Sequence, residues 1–208
     1  MEKLIAGVKR FQDQIFHSKK KLFGKLASSQ QPRALFITCS DSRVDPCLLT
    51  QTEPGELFIL RNAGNIIPSY GTSVGSATAA IEYAVGVLGV KHIIVCGHTD
   101  CGVVKALLDP KQVGDLPAVK KWLYQAESTR RVVEEVYGHL KGQALQIATT
   151  KENVRIQLEH LQTHPTVAAK LRKGSLKLHG WVYSIATGDI WMYDAKQETF
   201  ISLTDSAA

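Results

Sequence analysis

The chain has 208 residues, 44% of them hydrophobic, with 25 Lys and Arg against 19 Asp and Glu and a formal charge of +6. This length fits a single compact domain with a sizeable core. The basic residues are scattered apart from a run at 19–21, which excludes a nucleic-acid surface, and the chain has neither a secretion signal nor an apolar stretch of the ~20 residues that span a membrane. We therefore predict a soluble, cytoplasmic protein.

The first segment, residues 1–27, is predicted to be an amphipathic helical arm. Leu4, Ile5, Val8 and Phe11 recur at nearly helical spacing between charged or polar positions. The remainder, residues 28–208, is predicted to be the core of the same single domain, because no linker, repeat or low-complexity tract interrupts it.

Three short apolar runs, at 34–38, 57–60 and 92–96, are typical of strands buried on both faces. A helical pattern from 76 to 88 separates the second run from the third. This alternation predicts an α/β fold, with a mostly parallel central β-sheet flanked by helices and joined by right-handed crossovers. In such sheets ligands bind beyond the carboxyl ends of the strands.

The later elements are predicted to cover and extend this sheet. The pattern from Pro117 to about Tyr137 predicts one long helix, and Thr149 with Glu152 resembles a capping box at the start of another. Residues 176–185 and 190–193, on either side of the turn at 187–189, predict a strand and a hairpin.

Two polar motifs follow strands of the predicted sheet. Cys39, Asp41 and Arg43 come directly after the first strand, while His98 and Cys101 follow the third. Two cysteines and a histidine form a three-ligand zinc set that leaves the fourth tetrahedral position open for water, which is typical of catalytic zinc. Either motif alone fits an ordinary loop equally well, and it is their joint placement at strand ends that favours a metal site.

Asp41 and Arg43 are predicted to complete this site. Zinc lowers the pKa of bound water from 15.7 towards roughly 7, but two thiolate ligands weaken the effect. An Asp41 carboxylate fixed by Arg43 could accept a hydrogen bond from the zinc-bound water and so compensate. The alternative is a solvated surface ion pair without function.

The pattern Cys-x-Asp-x-Arg followed by His-x-x-Cys resembles that of β-class carbonic anhydrases. Blocks at 54–58, 61–65, 80–84 and 96–98 are similar to blocks of the same family. Within the family the chain looks most like the cyanobacterial, carboxysome-associated enzymes. The resemblance implies a carbonic anhydrase with one Zn²⁺ per chain, which hydrates carbon dioxide reversibly to bicarbonate and a proton by attack of zinc-bound hydroxide.

The same resemblance assigns further roles. It implies that Gln30 reaches the substrate and that Phe58, Ala63 and Tyr83 line the carbon dioxide pocket, some of them from a neighbouring subunit. It also implies a homodimer or an assembly of dimers, with the helical arm packed on the partner subunit, a carboxysome shell or scaffold protein as a candidate partner, and a carboxysome as a candidate location.

Gly102 directly follows the last predicted ligand. If it opens a helix, its backbone amide could bind the bicarbonate anion. An ordinary close-packing glycine is the alternative.

Other interpretations remain open at this stage. Relatives with the same zinc fold hydrolyse carbon disulfide or carbonyl sulfide, and a scaffold protein with a structural zinc is a second alternative, although a structural site normally fills its fourth position with a protein ligand. Thiol redox chemistry is disfavoured because the sequence has no Cys-x-x-Cys. We also expect Asp41 to pair with Arg43 rather than bind zinc, because Phe36 stands where regulated relatives have a tryptophan.

Overall fold

The computed structural model describes residues 1–72 and 75–203. It forms two compact units, Met1–Gln31 and Pro32–Ala208. The first unit is helical, as predicted, with α1 at Glu2–Arg10, α2 at Phe16–Ser18 and α3 at Lys20–Leu26. Stacking of the Phe16 and Phe23 rings, whose centroids lie 5.2 Å apart, holds its helices together.

Among the described residues of the second unit, six strands form one sheet in the order β2-β1-β3-β4-β5-β6. The strands are β1 at Ala34–Cys39, β2 at Leu57–Asn62, β3 at His92–His98, β4 at Lys177–Tyr183, β5 at Ile190–Asp194 and β6 at Thr199–Ser202. Strands β2, β1, β3 and β4 run parallel, whereas β5 pairs antiparallel with both β4 and β6. The predicted mostly parallel α/β fold is confirmed.

Helices cover this sheet. They are α4 at Pro46–Thr50, α5 at Ser76–Glu82, α6 at Gly102–Leu108, α7 at Pro117–Leu123, α8 at Glu127–Tyr137, α9 at Gly142–Gln162 and α10 at Pro165–Arg172. Helix α9 packs most closely, because β3 and β4 carry glycines beneath it. A Cβ atom at Gly97 or Gly180 would lie within 3.0 Å of the Val154 side chain. The main hydrophobic cluster lies where residues of β1, β3 and β4 pack against α5, α9 and α10.

Two of the predicted helices differ from the structure. The helix expected over 117–137 is broken by a 3₁₀ turn at Tyr124–Ala126. The capping box was wrong, because Thr149 lies inside α9 and its hydroxyl donates to the Leu145 carbonyl at 2.7 Å. A threonine bonded back to the preceding turn and a threonine at an N-cap look alike in sequence. Strand β6 was not predicted.

No helix in the described part of the chain is both long enough and apolar enough to cross a membrane.

Candidate active site

Cys39, His98 and Cys101 converge at one edge of the sheet. Cys39 is the last residue of β1 and His98 is the last of β3, and these strands are parallel neighbours, so their carboxyl ends lie side by side. Cys101 directly precedes α6 and is the third residue after the end of β3. The three potential ligand atoms lie within 4.8 Å of one another, and the two sulfur atoms are 3.9 Å apart. All three side chains are buried.

The buried imidazole of His98 is prepared to bind a cation. Its Nδ1 lies 2.9 Å from the Thr99 carbonyl oxygen, so Nδ1–H donates there and Nε2 keeps its lone pair. Nε2 is buried and has no hydrogen-bond partner among the described residues. A buried acceptor without a hydrogen bond destabilises the folded protein unless a bound ligand uses its lone pair. With two sulfur atoms beside it, this donor set suits zinc.

The two thiols do not titrate independently. The hydrogen bond from Cys101 holds the pKa of Cys39 well below its usual range, and Cys39 in turn raises the pKa of Cys101. The backbone N–H of Gly64 also donates to the Cys39 sulfur at 3.4 Å. In contrast, burial raises the pKa of Cys96 to about 12. Cys39 is therefore ready to bind a metal as a thiolate, whereas Cys96 is an inert core residue.

Asp41 and Arg43 form a bidentate ion pair beside the three ligands. Arg43 Nε donates to Asp41 Oδ1 at 3.0 Å, and Arg43 Nη2 donates to Oδ2 at 2.8 Å. The backbone N–H of Arg43 also donates to Oδ1 at 3.0 Å. These bonds hold the pKa of Asp41 well below its usual range. Asp41 Oδ2 lies 3.8 Å from His98 Nε2, beyond hydrogen-bonding distance but next to the ligand set.

Three residues that the sequence analysis did not assign hold this pair in place. Asp100 Oδ2 accepts from Arg43 Nη1 at 2.9 Å, and Lys105 forms an ion pair with the other oxygen of the same carboxylate. Arg61 donates to the backbone carbonyls of Cys39 at 3.1 Å and Asp41 at 2.7 Å. The only sequence signal for Asp100 was its position inside the His98–Cys101 motif.

The turn at 63–65 lies against Cys39. Gly64 adopts a φ of 79°, and a Cβ there would lie 2.5 Å from Val103 Cγ1, so only glycine fits. Trp122 Nε1 donates to the Ala63 carbonyl at 2.8 Å. The structure therefore brings the backbone of Ala63, a predicted pocket residue, to the edge of the sheet where the three potential ligands lie.

The other predicted pocket residues are placed differently. Phe58 is opposite Leu35, four residues from Cys39 along β1, which corresponds to roughly 13 Å. Its ring contacts that of Tyr83, with centroids 6.0 Å apart. One chain thus pairs Phe58 with Tyr83 but does not bring Phe58 to its own ligand set.

Two predicted substrate contacts remain predictions. Gly102 begins α6, and a Cβ there would meet no atom within 4 Å, so close packing does not explain this glycine. Gln30 is exposed and belongs to the N-terminal unit.

Comparison with known proteins identifies the family. Residues 34–190 match the carbonic anhydrase family model. The chain is 47% identical over 203 residues to a carbonic anhydrase of Synechocystis sp., covering 97% of this chain and 74% of the relative. It is 48% identical over 205 residues to a carbonic anhydrase of Pseudomonas aeruginosa, covering 99% and 93%. The solved structure of the β-carbonic anhydrase CcaA superposes with a TM-score of 0.95 at 47% identity, covering 97% and 98%.

The fold and site define a metal-dependent enzyme, and the chain belongs to the β-class carbonic anhydrase family. It is a zinc enzyme that converts carbon dioxide reversibly to bicarbonate and a proton. The predicted family, activity and cofactor are confirmed.

Proposed function

We propose that Cys39, His98 and Cys101 hold the catalytic zinc and that Asp41, fixed by Arg43, orients the nucleophile for carbon dioxide hydration. The observation that carries this proposal is the buried, unpartnered Nε2 of His98, which lies beside two thiols and 3.8 Å from the Asp41 carboxylate. When bound, zinc would act as a Lewis acid that lowers the pKa of a water ligand towards neutrality.

The carboxylate of Asp41 has one acceptor site left with which to orient the nucleophile. Each carboxylate oxygen offers about two lone-pair sites. Oδ1 accepts from the backbone N–H and Nε of Arg43, whereas among the described residues Oδ2 accepts only from Nη2. The remaining site on Oδ2 is next to the ligand set and can accept a hydrogen bond from the attacking oxygen. Because the attacking oxygen would direct its O–H at Asp41, one of its lone pairs would face carbon dioxide.

The function can be tested by stopped-flow carbon dioxide hydration, with zinc measured on the same sample. We expect rapid, saturable turnover from protein that contains about one zinc per chain. Removing zinc with a chelator should abolish turnover, and adding zinc back should restore it. Full zinc occupancy without hydration between roughly pH 7 and 9 would refute the proposal, and carbon disulfide and carbonyl sulfide should then be assayed as substrates.

We further propose that the active unit contains at least two chains. Phe58 lies roughly 13 Å from its own ligand set along the sheet, so a pocket lined by Phe58 and Tyr83 requires those residues to come from a second chain. Strand β2, which carries Phe58, is an edge strand and exposes Ile59. Tetrameric β-carbonic anhydrases of Sordaria macrospora, 30% identical over 92% of this chain, support an assembly of dimers.

Light scattering after size exclusion should therefore give a mass of two chains or a multiple of two. The substitution Ile59→Arg should dissociate this assembly and lower activity while zinc remains bound, because it places a charge on the unpaired edge. Leu116→Arg, which alters an exposed leucine outside the sheet, is the matched control. A fully active monomer would contradict the proposal.

A carboxysome location, with a shell or scaffold protein as partner, is a narrower proposal. Its support is the similarity to cyanobacterial relatives, which reach 47% and 44% identity. The Pseudomonas aeruginosa relative is equally similar at 48%. A fluorescent fusion expressed in the source cells would distinguish punctate shell association from a diffuse cytoplasmic enzyme.

A further inference from the structure

We infer that Asp100 is a positioning residue, which holds Arg43 in the orientation from which it binds Asp41. This inference rests on the proposed role of Asp41 and Arg43 in catalysis. Asp100 belongs to the loop between two zinc-ligand positions, His98 and Cys101, but its side chain points to Arg43. It would act on the reaction only through that arginine.

The guanidinium of Arg43 is bound from two sides. Nε and Nη2 donate to the Asp41 carboxylate, while Nη1 donates to Asp100 Oδ2 at 2.9 Å and Nη2 also donates to the Asp100 backbone carbonyl at 3.2 Å. Four of the five N–H donors of the planar group are thus used. The contacts with Asp100 add a second restraint on rotation of this plane to that of the bidentate pair with Asp41.

Without Asp100 the guanidinium of Arg43 would be able to rotate towards solvent. The Arg43 side chain is 43% exposed, and a cleft of about 320 Å³ lined by Arg43, Thr99 and Asp100 adjoins it. Water in that cleft could hydrate an arginine freed at one end. A guanidinium that rotates towards solvent would release one oxygen of Asp41 and lose the orientation of Oδ2 beside His98.

Asp100 is itself fixed by its surroundings. Its backbone adopts a φ of 59°, a left-handed conformation that aspartate and asparagine tolerate better than most residues. Lys105, which lies one turn into α6, pairs with the carboxylate oxygen that Arg43 does not use. The result is a chain of contacts from Lys105 through Asp100 and Arg43 to Asp41, which joins the Cys101 side of the site to the Cys39 side.

A positioning role for Asp100 can be distinguished from a purely structural one. Exposed ion pairs contribute little to stability, and the Asp100 side chain is 53% exposed. Its left-handed backbone could equally be the reason for an aspartate here. Comparing Asp100→Asn with Asp100→Gly separates these roles, because both residues accept the backbone conformation but only asparagine keeps an oxygen that can accept from Arg43 Nη1.

We expect Asp100→Gly to lower kcat/KM for carbon dioxide hydration by about 10–100-fold, the range seen for residues that orient a metal site through another group. Zinc content and Tm should stay close to those of the wild type. Asp100→Asn should keep most of the activity, and Lys105→Met should lose less than Asp100→Gly. Asp115→Asn, at an exposed position, is the control. Equal activity of the glycine and asparagine variants would overturn the inference.

One further readout does not depend on the rate of the loaded enzyme, and a double-mutant comparison of rates separates this inference from the proposed function. The Nε–H proton of Arg43 gives a ¹H–¹⁵N signal that can be assigned by its loss in Arg43→Lys. This proton should exchange slowly with water in the wild type and in Asp100→Asn, but rapidly in Asp100→Gly. In an Asp41→Asn background, Asp100→Gly should cause no additional loss. Additive losses would overturn the inference while leaving Asp41 catalytic, whereas a fully active Asp41→Asn enzyme would instead refute the proposed function.

Discussion

Replacing Cys101 with serine is expected to remove zinc and carbon dioxide hydration together. The sulfur of Cys101 lies 3.9 Å from that of Cys39 and within 4.8 Å of the His98 ligand atom. A serine hydroxyl is smaller and far less acidic, so it does not replace a thiolate as a zinc ligand. Changing a partner outside the ligand set typically costs 10–100-fold in metal affinity, so the loss of a direct ligand should exceed about 100-fold.

The measurement is zinc content by atomic spectroscopy after dialysis, with stopped-flow activity on the same sample. Cys47→Ser is the matched control, because Cys47 is a half-buried free cysteine outside the ligand group and should keep both zinc and activity. Chelated wild-type protein supplies a second control for folding, since it should recover with added zinc while Cys101→Ser should not. A Cys101→Ser protein with normal zinc and activity would exclude this cysteine from the metal site.

The three candidate metal ligands could be predicted from sequence because their chemistry and their placement agree. Cys39 and His98 end parallel neighbouring strands, and the alternation of strand and helix in the sequence is enough to predict that such strand ends share one edge of a sheet. Asp41 and Arg43 are two residues apart, so their contact is also local. Their catalytic role is a proposal that rests on that placement.

The supporting contacts could not be predicted because their partners are distant in sequence. The Arg43–Asp100 pair spans 57 positions and joins two loops whose separation depends on the register of β1 and β3. Arg61 binds backbone carbonyls, which have no sequence signal. The capping box predicted at Thr149 is wrong for a different reason, because the helix starts seven residues earlier, at Gly142, without a side-chain cap.

The substitution Asp41→Asn is expected to lower kcat/KM for carbon dioxide hydration by about 10²–10³-fold, the usual cost of removing a pre-organised polar contact to the reacting atom. Asparagine has the shape of aspartate but replaces one oxygen with an N–H₂ group. If its oxygen accepts from Arg43 Nε, the amide nitrogen takes the place of Oδ2, where it meets the Nη2 donor and turns N–H towards the nucleophile. Both contacts then have the wrong polarity.

Zinc should remain bound in this variant, because Asp41 is not one of the three ligands, and that distinguishes it from Cys101→Ser. Asp115→Asn makes the same chemical change at an exposed site and should be as active as the wild type. Because Arg43 holds the pKa of Asp41 well below its usual range, the carboxylate stays ionised throughout the neutral and alkaline range. The loss should therefore be the same at every pH in that range, whereas an effect that disappears as pH rises would assign Asp41 a role in proton transfer instead.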